Sequence, residues 1–279
     1  MLAGRVIFIG AGPGAADLIT LRGARALAQA TVVLHDALTD PALRAFAPQA
    51  EWIDVGKRGY TDSTAQTRIN ALLVRHAQAG AVVARLKGGD PSLFGRLEEE
   101  LQALDEAGLP CEVIPGVTAA LAAAAAAQRP LTRRGSGRSV AFSTAVTASG
   151  EASACQRADT EVFYMAGRQL ARLSRRLLEA GWAESTPVLV VSRAGWPDQL
   201  LSEHRVADLA GACVLHAGRP AVVTVGVGAG ATTPARPGLA VDGLGTSAPS
   251  APAQALAGCL PALADQLAQG HPAMDPIKP

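Results

Sequence analysis

Short apolar runs closed by glycine or proline, each followed by a stretch with helical spacing, limit what this chain can fold into. The pattern opens with RVIFIGAG (5–12) and a helical stretch from Thr20 to Gln29. It continues through TVVLHD (31–36) and EWIDVG (51–56) to TAQTRINALLVRHAQAG (64–80). In the last of these, Ile69, Leu72, Leu73 and His76 share one helical face and Gly80 marks the stop. AVVARLKGGDP (81–91) reads as a buried strand ending in a turn, and LEEELQALDEAG (97–108) as a helix with its acids early. CEVIPG (111–116) reads as a strand and VTAALAAAAAAQ (117–128) as a buried helix. Strands alternating with helices predict an α/β fold with a mostly parallel sheet.

A second lobe begins near RSVAFSTA (138–145). Its strands are EVFYMAG (161–167), TPVLVVSRAG (186–195) and PAVVTVGVG (220–228). RQLARLSRRLLEAGW (168–182) is its helix, DLAGACVLHAG (208–218) is helix or loop, and 146–160 reads as a linker. The expected organisation is therefore an α/β lobe over 1–137 and another over 138–230. From Ala231 the chain turns rich in Pro, Gly, Ala, Ser and Thr, too poor in apolar surface to order itself fully. The 231–279 tail is expected to be partly disordered, with a short helix at 253–269.

The composition removes several classes. A formal net charge of +1 argues against an electrostatic nucleic-acid binder. Cys111, Cys155, Cys213 and Cys259 lie far apart without zinc-ligand spacing, so no metal is expected; they read as reduced, mostly buried thiols of a cytoplasmic protein. No apolar run reaches the ~20 residues that span a bilayer, and no signal peptide is expected before the first strand.

The first glycine turn admits more than one reading. Gly10, Gly12 and Ala15, with Asp36 at the end of the next strand, fit a dinucleotide fingerprint. Against it, Pro13 lacks the N–H a pyrophosphate would want, and Gly14 breaks the register in which a helix should start. No Gly-Lys-Ser/Thr follows. The turn suits close approach to a ligand other than a phosphate, or no ligand at all. The second turn, RLKGGDPSLFGR (85–96), sets Gly88, Gly89, Asp90 and Pro91 at a strand's carboxyl end, where open α/β sheets bind ligands. IPGVTAA (114–120) is a third such turn. Together they describe a cavity in which backbone makes most of the contacts.

VIFIGAGPGAADLITLRGARAL, VVLHDALTD, VGKRG, QTRINALLV, RLKGGDPSLFGR, EEELQALDEAGLPCEVIPGVTAA, PLTRR, VFYMAG and TPVLVV follow one another across 1–230. In this order and spacing they resemble the tetrapyrrole methylase family. The resemblance implies two α/β lobes with the active site in the cleft between them, a homodimer, and S-adenosylmethionine as methyl donor. It implies methylation of uroporphyrinogen III at two ring positions, and no dinucleotide. Carried over by motif, the cofactor residues are Pro13, Gly88, Gly89, Asp90, Leu93, Thr118, Ala119, Met165, Ala194 and Ala221. Asp36 and Lys57 take the proton-transfer roles, with Lys57 more plausible as an electrostatic partner because an ordinary lysine is a poor acid near neutral pH. Arg58, Arg96, Arg133 and Arg134, with Arg138 beside them, form an expected set for the carboxylates of the substrate.

The chain departs from the family pattern at Leu97 and Glu98, where relatives carry two glycines, at Arg133 in place of histidine, at His35 in place of tyrosine, and over STAVTASG (143–150). Competing readings are a methylase of a later corrin-ring intermediate, a non-catalytic tetrapyrrole-binding paralogue, and an NAD-dependent oxidoreductase built on the first turn.

Overall fold

The computed structural model describes residues 4–56, 63–145 and 158–232. They form two compact units. One comprises residues 4–12 together with the described part of 16–116; the other comprises Pro13–Ala15 and the described part of 117–232.

The first unit holds β1 (Arg5–Gly10), β2 (Val32–His35), β3 (Glu51–Asp54), β4 (Val82–Lys87) and β5 (Cys111–Ile114). Their order is β3-β2-β4-β1-β5, every pair parallel as the alternation predicts. Central strands β1 and β4 are covered on both faces, which is why β1 reads as a nearly unbroken apolar run. On one face Ile7, Ile9, Ala84 and Leu86 pack with Leu27 of α1 (Leu21–Ala28) and with Leu43 and Phe46. On the other, Val6, Phe8 and Val83 meet Ile69 and Leu73 of α2 (Ser63–Gln78) and Leu104 of α3 (Leu97–Glu106). The strand order places a topological switch point at β1 and β4. The chain leaves β1 for β2 in one direction and leaves β4 for β5 in the other.

α1 does not begin at the glycines. A short 3-10 turn, Ala16–Leu18, intervenes, and α1 starts after Thr20, whose Oγ1 accepts the Gly23 N–H at 3.0 Å. The first turn therefore lacks the helix N-terminus that a pyrophosphate site requires.

The second unit holds α4 (Ala119–Ala126), β6 (Val140–Thr144), β7 (Thr160–Tyr164), α5 (Leu170–Glu179), β8 (Pro187–Ser192), β9 (Leu200–Arg205), α6 (Ala212–Leu215) and β10 (Ala221–Gly226). The sheet runs β6-β7-β10-β8-β9. Here the expected mostly parallel sheet gives way. β6 and β7 are parallel, whereas β7–β10, β10–β8 and β8–β9 are antiparallel. The cause is β9, which carries no strand-like alternation: its sequence, LLSEHR, is polar over its second half, and it lies half-covered at the sheet edge. A short return over 193–199 sends β9 back along β8, and β10 then enters between β7 and β8 against both.

The boundary between the units also differs from the expected one near 137. Ala120, Ala122 and Ala123 of α4 are buried among Val162, Leu189, Val191 and Val222, so α4 belongs with the second sheet. α5 buries Leu170, Leu173 and Leu177 at helical spacing. Cys213 is half-buried, but Cys111 is exposed because β5 is an edge strand. Cys155, Cys259, most of the expected linker, and the 231–279 tail beyond Thr232 lie outside the described residues.

Beside β8 and β9, His216 is fully buried, its Nδ1 2.9 Å from Ser192 Oγ and its Nε2 2.8 Å from Ser202 Oγ. Burial, reinforced by His204 and Arg219, lowers its pKa from 6.5 to about 4. Between these values the unfolded chain binds a proton that the folded chain refuses, so stability falls as pH drops from 6.5 towards 4. Thermal melts of the protein should show this fall, and His216→Gln should flatten it. An equal pH slope in that variant would assign the acid sensitivity elsewhere.

Candidate functional site

At the carboxyl ends of β1, β4 and β5 the three predicted turns converge within the first unit. Gly12 N–H donates to Gly89 O at 3.3 Å and Gly89 N–H to Gly12 O at 2.7 Å. Both glycines have left-handed backbone, with φ of 79° and 72°. A Cβ on Gly10 would lie 2.5 Å from Gly116 Cα and 2.9 Å from Gly89 O; one on Gly116 would lie 2.4 Å from Gly89 O. These glycines exist first to let three chain reversals touch. Gly88 differs: a Cβ there would meet Leu38 Cβ at an ordinary 3.6 Å.

Asp90, expected to offer its charge to a cofactor, is committed to backbone. Its Oδ1 accepts the Ser92 N–H and its Oδ2 the Gly116 N–H, each at 2.8 Å. The carboxylate thus clamps the second turn to the third. Leu93, whose N–H donates to Asp90 O at 3.2 Å, closes the same turn half-buried.

Asp36 follows β2 at the same end of the sheet. Its Oδ1 lies 2.7 Å from Arg85 Nη2, and its Oδ2 is 3.4 Å from the Gly88 N–H. Arg85 in turn binds Glu100, which also holds Lys87. The sequence reading passed over these three residues. The signal was there: two cations inside a strand buried on both faces, and an acid in the apolar stripe of α3 that carries Leu97, Leu101 and Leu104.

Other expected cofactor residues sit in the second unit. A Cβ on Gly14 would lie 2.8 Å from Ala194 O and 2.7 Å from Trp196 Cδ1, so the stretch holding Pro13 runs along Ala194–Trp196. Ala194 and Ala221 are 5% and 6% exposed and present little beyond backbone edges. Ala221 pairs with Ser192, at the end of β8 that leads into Ala194. Met165 directly follows β7 with φ 59°, a costly conformation for a side chain with a Cβ and typical of functional sites. Thr118 is buried and precedes Ala119, the first residue of α4; its Oγ1 is 2.6 Å from Tyr164 Oη.

The arginines divide. Arg96 has φ 54°, is about half exposed, and binds Glu99 through two bonds of 2.6 and 2.7 Å, which raise its pKa and lower that of Glu99. Arg134 and Arg138 are exposed. The Arg133 guanidinium donates to the carbonyls of Gly230 and Ala231. Lys57 and Arg58 lie outside the described residues. Among the described residues no group of three or more His, Cys, Asp and Glu side chains is arranged to hold a metal, and no helix is long and apolar enough to cross a membrane.

Known proteins match this chain along most of its length. It is 39% identical to a uroporphyrinogen-III C-methyltransferase of Pseudomonas aeruginosa over 81% of this chain and 94% of that one. It is 46% identical to siroheme synthase 1 of Klebsiella pneumoniae over 70% of this chain, but it spans only 43% of that longer protein. A crystal structure of uroporphyrin-III C-methyl transferase from Thermus thermophilus, complexed with S-adenyl homocysteine, superposes with a TM-score of 0.70 at 38% identity. That match covers 80% of this chain and 97% of the other. A cobalt precorrin-4 methyltransferase matches with a TM-score of 0.71 at 30% identity, covering 81% of this chain and 96% of the other. With residues 5–210 matched by the model of the family, the chain belongs to the Tetrapyrrole (Corrin/Porphyrin) Methylases.

Proposed function

We propose that this chain is an S-adenosylmethionine-dependent methyltransferase that methylates uroporphyrinogen III at ring carbons C2 and C7, giving precorrin-2 for sirohaem or cobalamin. The observation that carries the reading is the convergence of three glycine turns at the switch point of the first sheet, in a chain that spans nearly all of a uroporphyrinogen-III C-methyltransferase.

The donor set fits the cofactor. Backbone edges and small or apolar side chains dominate, the first turn has a proline where a phosphate would need an N–H, and no helix begins there. Such a lining suits a sulfonium ion with an adenosyl group and disfavours a pyrophosphate. In the first unit Gly88, Gly89 and Leu93 would hold it, with Asp90 shaping their turn. Pro13, Thr118, Ala119, Met165, Ala194 and Ala221 are the further cofactor residues of this reading, Met165 as a soft apolar surface. When bound, the cofactor supplies an electrophilic methyl group. The protein's own part is to orient the acceptor ring, keep water away and take up the proton that the macrocycle loses, from a position other than the methylated carbon, once the methyl group has been added. Asp36 is the acceptor in this reading. Arg58, Arg96 and Arg134 bind carboxylates of the ring, and Lys57 adds positive charge. The reading includes a homodimer working in the cytoplasm.

Incubation with uroporphyrinogen III and S-adenosylmethionine should yield the absorbance of a dimethylated dipyrrocorphin. Cofactor binding without that chromophore would overturn the substrate and favour a later corrin-ring intermediate. In calorimetry, S-adenosylhomocysteine should bind and NAD should not. Asp90→Ala, which frees the second turn from the third, should weaken that binding about tenfold, roughly 1.4 kcal/mol.

A further inference from the structure

The first sheet buries charge where an apolar side chain would cost less. The face of β4 toward α2 and α3 presents Val83, Arg85 and Lys87 in turn, and the two cations are 3% and 2% exposed. Glu100 enters from α3 with no exposure, one helical turn before Leu104. Its Oε1 accepts from Arg85 Nε at 2.9 Å and its Oε2 from Lys87 Nζ at 2.5 Å. Arg85 Nη1 donates to Leu86 O at 3.2 Å, leaving Nη2 for Asp36 Oδ1 at 2.7 Å. Asp36 is the member of the four that reaches solvent, with about a third of its side chain exposed.

Taking three charges out of water is expensive, and well-packed apolar residues at such places are often at least as stabilising. A staple between α3 and β4 needs Glu100 and one cation. It does not need a second cation whose remaining arm ends on a carboxylate at the switch point. The guanidinium is planar and fixed on two sides, by Glu100 and by the Leu86 carbonyl, so the direction of its third arm is fixed as well. Asp36 Oδ1 is thereby held, and Oδ2, whose contact with the Gly88 N–H is long at 3.4 Å, remains the oxygen able to accept a proton.

We propose that Arg85 is a positioning residue for Asp36, locked by Glu100 and Lys87 so that one carboxylate oxygen is pinned and the other is presented to the substrate. The proposal rests on the reading of Asp36 as proton acceptor. The electrostatics agree with a guanidinium that stays charged. Burial alone would lower the pKa of Arg85, but Asp36 and Glu100 outweigh it and leave it above the ordinary value. Burial, then the charge of Arg85, hold the Lys87 ammonium below its ordinary range.

A double-mutant cycle with uroporphyrinogen III tests this, using Glu100→Gln, which keeps shape, and Arg85→Lys, which keeps charge, each alone and combined with Asp36→Asn. Melting temperature and S-adenosylhomocysteine affinity are measured for every variant. With Asp36 present, each change should lower kcat about tenfold with KM within about twofold. In the Asp36→Asn background the same change should cost less than about twofold, because the group it orients no longer takes a proton. Equal losses in both backgrounds would reduce the cluster to a structural staple and overturn the proposal, as would an unchanged kcat in both single variants. A wild-type protein without turnover on uroporphyrinogen III would overturn the functional reading and this inference together. An active wild type with additive losses would overturn the inference alone.

Discussion

Asp36→Asn is expected to lower kcat by about two to four orders of magnitude, the usual worth of a positioned proton acceptor. S-adenosylhomocysteine affinity and melting temperature should stay close to wild type. The amide is isosteric with the carboxylate, and its oxygen can still accept from Arg85 Nη2, where Oδ1 now sits at 2.7 Å. Arg85 keeps its bond to Glu100, so no buried cation is stranded. The altered position is Oδ2, which among the described residues has a single long backbone contact. The substitution therefore removes basicity and little else, and the loss should appear in kcat with KM nearly constant. Single-turnover measurement with excess enzyme separates the methyl-transfer step from product release. Wild-type turnover would show that Asp36 is a structural partner of Arg85 and that the proton leaves by another route.

The parts of this site that were legible in the sequence are those written in local patterns. Apolar runs ending at Gly10, Gly88 and Gly116 gave β1, β4 and β5, and one parallel sheet follows from their alternation with helices. Asp36 and Asp90 could be placed at strand ends because each follows such a run. What escaped depends on contacts across the fold. Nothing around Asp90 says that both its oxygens will face backbone N–H groups, one of them 26 residues away at Gly116. Arg133 sits among arginines that look like an anion-binding set, and nothing near it in the chain says that it will donate to the carbonyls of Gly230 and Ala231. β9 hides because an edge strand with one covered face needs few apolar residues, and missing it turned a mixed sheet into an expected parallel one. Arg85, Lys87 and Glu100 were passed over for a different reason. Each was read with its own element, and the conflict between charge and burial emerges only when β4 and α3 are laid against each other.

Gly10 in the first turn and Gly88 in the second should respond in opposite ways to the same added methyl group. Gly10→Ala is expected to destabilise the first unit by about 3 kcal/mol or more, lowering its melting temperature by roughly 10 °C. The new Cβ would stand 2.5 Å from both Gly116 Cα and Gly116 N, and main chain cannot swing aside as a flexible side chain would. Relief requires β1 and β5 to separate at their ends, which would strain the Asp90–Gly116 bond and the paired Gly12–Gly89 bonds together. Among the described residues Gly88→Ala meets nothing closer than Leu38 Cβ at 3.6 Å, and it should leave melting within about 1 °C. If the open side of Gly88 is where the cofactor approaches, the methyl group must occupy that space, and S-adenosylhomocysteine affinity should fall at least about tenfold, roughly 1.4 kcal/mol. Calorimetry and thermal melts on the two variants thus separate the glycines that join the turns from the glycine that leaves room for a ligand. A Gly88→Ala protein binding S-adenosylhomocysteine as tightly as wild type would remove the second turn from the cofactor site, while a thermally unaffected Gly10→Ala would show that the convergence of the three turns does not hold the unit together.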